Sequence, residues 1–173
     1  ALPDLIPAHQ PPGIVFCGHG RADGNALLLG DTALWDADNL DVCAGRWFHA
    51  IACYSAPALG LEAIARGVTA FVGYNGLVLA DWETDAIPPQ AQPIVAEILS
   101  VVSNRLHQDV RDEQALRRAI RDAYDVWVRW KSANHRQLRR MKTTFTSQAI
   151  DDLLRSLCVG LRLHVAPPQP SCG

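Results

Sequence analysis

Three short apolar runs end in glycine or turn residues. Ile14-Val15-Phe16-Cys17 precedes Gly18, Phe48-His49-Ala50-Ile51 precedes Ala52-Cys53-Tyr54-Ser55, and Val68-Thr69-Ala70-Phe71-Val72 precedes Gly73. A short apolar run without polar alternation reads as a strand buried on both faces, the habit of a parallel sheet. Strands are therefore predicted over 14–17, 47–52 and 68–72. Between the last two, Pro57 to Arg66 predicts a helix. Proline suits its first turn, Leu59, Ala63 and Ile64 share a face, and Gly67 is a stop. Strand, helix and strand in so short a span make a βαβ crossover.

Other segments read differently. Residues 1–13 hold four prolines and predict a lead-in without regular structure, and 166–173 a proline-rich tail. Residues 18–46 are polar and rich in glycine and aspartate. They contain an extended piece, Ala26–Leu29, and a short helix capped by Asp36. After Pro88-Pro89 the period becomes helical. Ile94, Ile98, Val101, Val102 and Leu106 mark one helix. Leu116, Ile120, Tyr124, Trp127 and Val128 mark a second, and Ile150, Leu153, Leu154 and Leu157 a third. Gly160 ends the third, and Leu161-Arg-Leu-His-Val predicts a last strand. The class is α/β.

Composition narrows this little. The chain has 173 residues, 49% apolar and 20% charged, with net charge −2. That suits one ordinary domain with an appendage and gives no global pull toward nucleic acid or an anionic membrane. Five cysteines at irregular spacing, with no CxxC pair, argue against a disulfide framework and for a reducing, cytoplasmic setting. No apolar run approaches membrane-spanning length and no signal-peptide layout opens the chain. It begins with Ala1 rather than Met, so trimming, or origin as the C-terminal piece of a longer protein, is expected.

Open parallel sheets present reactive groups beyond the carboxyl ends of their strands. His19 and Cys53 are each placed there, at the same edge of one sheet. An imidazole beside a thiol can take its proton and later protonate a leaving amine. Small neighbours, Ala52, Ser55 and Ala56, leave room for a peptide. A lone cysteine at a strand end is more often core than nucleophile, and a lone Gly-His-Gly is equally weak. Their pairing carries the argument.

Ile14-Val-Phe-Cys-Gly-His-Gly20, Ile51-Ala-Cys-Tyr-Ser-Ala56 and Gly67-Val-Thr-Ala-Phe-Val-Gly73 resemble the three signature blocks of CHAT domains, caspase/separase-like cysteine peptidases of clan CD. Leu27-Leu28-Leu29-Gly-Asp31, Leu77-Val-Leu-Ala-Asp-Trp82 and Glu113-Gln-Ala-Leu-Arg-Arg-Ala119 look like further family segments. The resemblance spans roughly 14–130. It implies a caspase-like, parallel-sheet three-layer sandwich over 1–130, with 131–173 as a helical extension and proline-rich tail. It implies a metal-free, cofactor-free Cys–His dyad, with His19 as base and acid and Cys53 as nucleophile. Gly20 and the Cys53 N–H would form the oxyanion hole. Two departures stand out. His19 and Cys53 are 34 positions apart, where the caspase signature has about 50. Only 18 residues precede His19, so the family's N-terminal strands are missing or supplied elsewhere.

Asp23 and Asp81 are candidates for selecting an Arg or Lys side chain of a peptide substrate through a charge-assisted hydrogen bond. The plainer reading makes them solvated loop acids. Ser55 completes the expected substrate-binding set. A zinc site drawn from Cys17, His19, Cys43 and Cys53 fits no ligand spacing, and a serine hydrolase would want GxSxG. His49 reads as a packed core histidine. Arg136, Arg139, Arg140 and Lys142, near Trp127 and Trp130, suggest stacking on nucleic acid less than a solvated helix face over core tryptophans, or a dock for a regulatory partner. The expectation is thus a cysteine endopeptidase acting on a protein target, switched on by a sensor protein. A bacterial stress or defence role follows by analogy. The alternatives are a non-catalytic caspase-like interaction scaffold and a flavodoxin-like ligand-binding domain.

Overall fold

The computed structural model describes residues 11–78, 92–134, 136 and 147–167. The protein is mixed α/β with a mostly parallel central sheet. Strands β1 (Gly13–Cys17), β5 (Trp47–Ile51), β6 (Ala70–Tyr74) and β7 (Leu161–Val165) lie in the order β1-β5-β6-β7. A second, antiparallel sheet holds β2 (His19–Gly20), β3 (Ala26–Leu29) and β4 (Thr32–Asp36) in that order. The chain divides into two compact units, Ala1–Leu77 with Arg162–Gly173, and Val78–Leu161.

In the first unit β1 pairs with β5, and β5 with β6, in parallel. All five residues of β5 and all five of β6 are buried, as their unbroken apolar runs require. The predicted βαβ unit is present. β7 is the edge strand that departs from the parallel set. The Ala166 N–H just past its end donates to the Thr69 oxygen just before β6, 3.1 Å away, so β7 runs antiparallel to β6.

One core binds the two sheets. Phe16, Phe48, Ala50 and Phe71 from the large sheet meet Leu27 and Trp35 from the small one. Phe48 stacks on Phe71 at 5.4 Å and takes the edge of Trp35 at 5.5 Å. Such ring pairs add about 0.5–1.5 kcal/mol each beyond area burial. Leu40 and Cys43, in a single 3-10 turn at Leu40–Cys43, fill the same core.

Four local expectations shift. β1 is not covered on both faces: Val15 and Cys17, alternate residues on one face, are exposed and only Phe16 of the strand is buried. The third predicted strand runs over Ala70–Tyr74 rather than 68–72. The Asp36 carboxylate accepts from the Asp38 N–H at 3.0 Å, so it closes a turn after β4 and caps no helix. The predicted helix begins as a wide π-helical turn, Ala56–Gly60, before α1 (Leu61–Ala65). The Leu59 N–H donates to Gly24 at 3.1 Å rather than to the fourth residue back, which opens the turn.

The second unit is helical: α2 (Gln92–His107), α3 (Glu113–Ala133) and α4 (Ser147–Gly160). Each buries its apolar stripe, including Val95, Ile98, Val102 and Leu106 of α2 and Leu116, Ile120 and Trp127 of α3. Tyr124, expected on that stripe, is 38% exposed. Since α3 runs unbroken through residue 130, the division expected at 130/131 falls inside a helix. The compact units part at 77/78, and β7 belongs with the first sheet rather than with an extension.

Candidate active site

The register of β1 and β5 sets the site. Cys17 stands opposite Ile51, the last pair of the two strands. The Gly18 N–H then donates to the Ile51 oxygen at 3.2 Å. Both chains leave the sheet side by side, and two steps on are His19 in one and Cys53 in the other. The contact is closest at the next residue. A methyl group on Gly20 would lie 1.7 Å from the Cys53 carbonyl oxygen and 3.3 Å from its nitrogen. Only glycine lets the two backbones touch there.

His19 is exposed and opposes Leu28 across β2–β3. The Arg21 N–H donates to Ala26 at 2.9 Å. Antiparallel pairs alternate between bonded and non-bonded, so the Gly20 N–H, one residue back, points away from β3. This amide is the one the CHAT resemblance assigns to an oxyanion hole.

Cys53 is half-buried and opens a tightly held turn. Tyr54 has φ of +51°, a left-handed conformation that is strained for a residue with a bulky side chain. Three ties hold it. The Tyr54 N–H donates to Gly76 at 3.0 Å. The Ser55 hydroxyl donates toward the Ala52 and Ala50 carbonyls, at 2.9 and 3.2 Å, and accepts from the Tyr74 N–H at 3.0 Å. Gly24, with φ of +75°, is packed so that a methyl on it would sit 2.9 Å from the Tyr54 oxygen.

The other expected residues separate here. Ser55 is 1% exposed, so it reaches the site only by fixing the turn, where a substrate contact was expected. Its hydroxyl is drawn inward because the Tyr74 N–H, buried on β6, needs an acceptor. Asp23 is exposed and already engaged. It accepts both oxygens' worth of contact from the Arg21 Nε, at 2.8 and 2.9 Å, and the Asn25 N–H at 3.0 Å. The Arg21 guanidinium holds its carboxyl below the usual range. Asp81 lies outside the described residues, as do Arg139, Arg140 and Lys142.

Three other thiols lie among the described residues. Cys43 is buried, and desolvation pushes its thiol up to about 12. Cys17, though its residue is exposed, is raised by the same cause. Cys158 is half-buried on α4. His49 is 1% exposed with its Nε2 3.0 Å from the Tyr74 hydroxyl, the packed core histidine expected. Trp127 is fully buried, gives its Nε1–H to Asp151 at 2.9 Å and stacks on Trp130, which makes it core rather than a base platform.

The sequence reading did not anticipate Tyr54, Gly24 or Gly76. Gly20 was the available signal, since a glycine beside a reactive histidine marks close backbone approach.

Among the described residues no three His, Cys, Asp or Glu side chains converge as metal ligands, and no helix is long and apolar enough to cross a membrane. No protein-family model, curated protein or solved structure matches the chain.

Proposed function

We propose that this chain is a cysteine endopeptidase of the CHAT, caspase-like type, acting through His19 and Cys53. The observation that carries the reading is the close approach of the Gly20 and Cys53 backbones where β1 and β5 end. It puts the two chain segments bearing imidazole and thiol at one sheet edge, where α/β folds do chemistry.

In this reading His19 takes the Cys53 proton and the sulfur attacks the scissile carbonyl. The oxyanion is met by the N–H groups of Gly20 and Cys53. His19 returns the proton to the departing amine, leaving a thioester on Cys53. Water, deprotonated by His19, then releases the acid and restores the thiol. Tyr54 and Ser55 hold the turn that aims the sulfur. Asp23, charged at neutral pH, favours a basic substrate side chain, which would take the place of Arg21. Asp81 is the second acid of that preference. A partner protein that controls access, and a bacterial defence setting, belong to the same proposal by analogy.

The test is site-resolved alkylation by iodoacetamide near pH 7, read by peptide mass spectrometry. Cys53 should label fastest of the thiols, and His19→Ala should slow Cys53 at least tenfold while leaving Cys158 unchanged. Hydrolysis of Arg- or Lys-terminated fluorogenic peptides should vanish in Cys53→Ala. Equal labelling of Cys53 and Cys158, unaffected by His19→Ala, would favour the scaffold reading instead.

A further inference from the structure

The helical unit carries chemistry of its own beside α3. A concavity of about 470 Å³ is bordered by Arg105 of α2 and by Arg118, Arg121 and Asp122 of α3. A second, of about 280 Å³, is bordered by Ile120, Tyr124, Leu154 and Arg155, and again by Arg121. The helical wheel explains the sharing. Arg118, Arg121 and Tyr124 follow at intervals of three, so Arg121 is the ridge between a basic hollow and an apolar one.

Positive charge is in excess in the first hollow, with three guanidinium groups to one carboxylate on its wall. Arg118 meets Asp112 at 3.3 Å, but both side chains are about 60% exposed, which makes that pair weak. Among the described residues Arg105 and Arg121 form no ion pair. Asp122 is the lone carboxylate on the wall. The acid of the second hollow, Asp151, is already committed to the Trp127 Nε1–H at 2.9 Å and the Lys131 ammonium at 2.7 Å.

We propose that α3 bears a binding site for a nucleoside polyphosphate. Its phosphates lie on Arg105, Arg118 and Arg121, and its base lies in the cleft between Tyr124 and Leu154. Guanidinium forks match phosphate oxygens two at a time. Tyr124 is 38% exposed and offers a ring face for base stacking. The second hollow is edged by Ile120 to Tyr124 of α3 and by Asp151 to Cys158 of α4, ~6 and ~10 Å of helix at 1.5 Å per residue, which is enough for a planar ring. Together the hollows fall in the size range of small-molecule sites. The proposal is independent of the peptidase reading.

Isothermal titration of the full chain tests it, with ATP, inorganic tripolyphosphate, adenosine and dodecyl phosphate as probes. ATP should bind at least tenfold tighter than any of the other three. Arg121→Ala and Arg105→Ala should each weaken ATP and tripolyphosphate by about tenfold, the worth of one charge-assisted hydrogen bond. Tyr124→Ala should weaken ATP alone. Cys53→Ala should bind ATP as the parent chain does. Tripolyphosphate binding as well as ATP would mean an adventitious ion only and overturn the proposal. So would tighter binding of dodecyl phosphate, or ATP affinity unchanged in Arg105→Ala, a change on a different helix that holds if Arg121→Ala fails to fold.

Discussion

A methyl group at residue 20 has nowhere to go, because the Cys53 carbonyl oxygen would be 1.7 Å from it. Gly20→Ala must push the Cys53 turn away, at a cost of about 1–3 kcal/mol typical of overpacking. Urea unfolding should show that loss, and alkylation of Cys53 should slow at the same time. His49 makes a second prediction. Burial drives its pKa down to about 3, against about 6.5 for a free histidine. The unfolded chain therefore takes up a proton below about 6.5 that the folded chain refuses until about 3. The stability associated with neutral His49 is complete above the upper value and is lost as pH falls toward the lower one. His49→Gln, which still offers Tyr74 a partner, should flatten that slope by a few kcal/mol between pH 6 and 4 in denaturant titrations.

At the scale of elements, a side-chain cap fixes where α3 starts. Asp112 is extended, at φ −115°, and accepts the Gln114 N–H at 2.9 Å, so α3 starts on a built N-cap. Arg117 of α3 donates to the carbonyls of Cys158 and Leu161, which satisfies groups left open at the end of α4. Asp112→Ala should lower stability by about 1 kcal/mol, seen as a lower melting temperature of the helical signal. The strands depend on apolar runs instead, and the turns on contacts made across the fold. The turn after β5 shows this dependence. Its shape is held by Gly20, Gly24, Ser55 and Gly76, drawn from three separate stretches of chain.

At the scale of the whole chain, the central sheet is closed by two distant pieces of sequence, β1 near one end and β7 near the other. β7 shields the edge of β6, and its His164 ring lies so close to Gly60 that a methyl there would meet it at 2.6 Å. A chain stopped after Gly160 loses that cover and leaves β6 as an exposed edge. Cys43, fully buried in the core of the same unit, reports the damage. In the truncated chain its alkylation should rise at least tenfold, while an intact core would keep it silent.

What the amino-acid sequence determined by itself was local. The runs around 47–52 and 68–72 form buried strands because an all-apolar stretch must be covered on both faces, whereas the run at 14–17 forms a strand in which only Phe16 is buried. The βαβ unit, the last strand and the three apolar helix stripes follow from the same reasoning, as does the burial of His49 and Trp127. That the segments carrying His19 and Cys53 leave the sheet side by side was legible because parallel strands deliver their carboxyl ends to one edge. Other features came only with tertiary structure, since each depends on groups far apart in sequence. Ser55 turns inward because a buried N–H of β6 has to be satisfied. Tyr54 is held at positive φ because Gly24 and Gly76 grip the chain on either side of it. Arg121 joins two hollows because α2 and α4 pack beside α3. A sequence carries the period and propensity of each segment, whereas the partners that complete a hydrogen bond or leave charge in excess exist only once the segments have met.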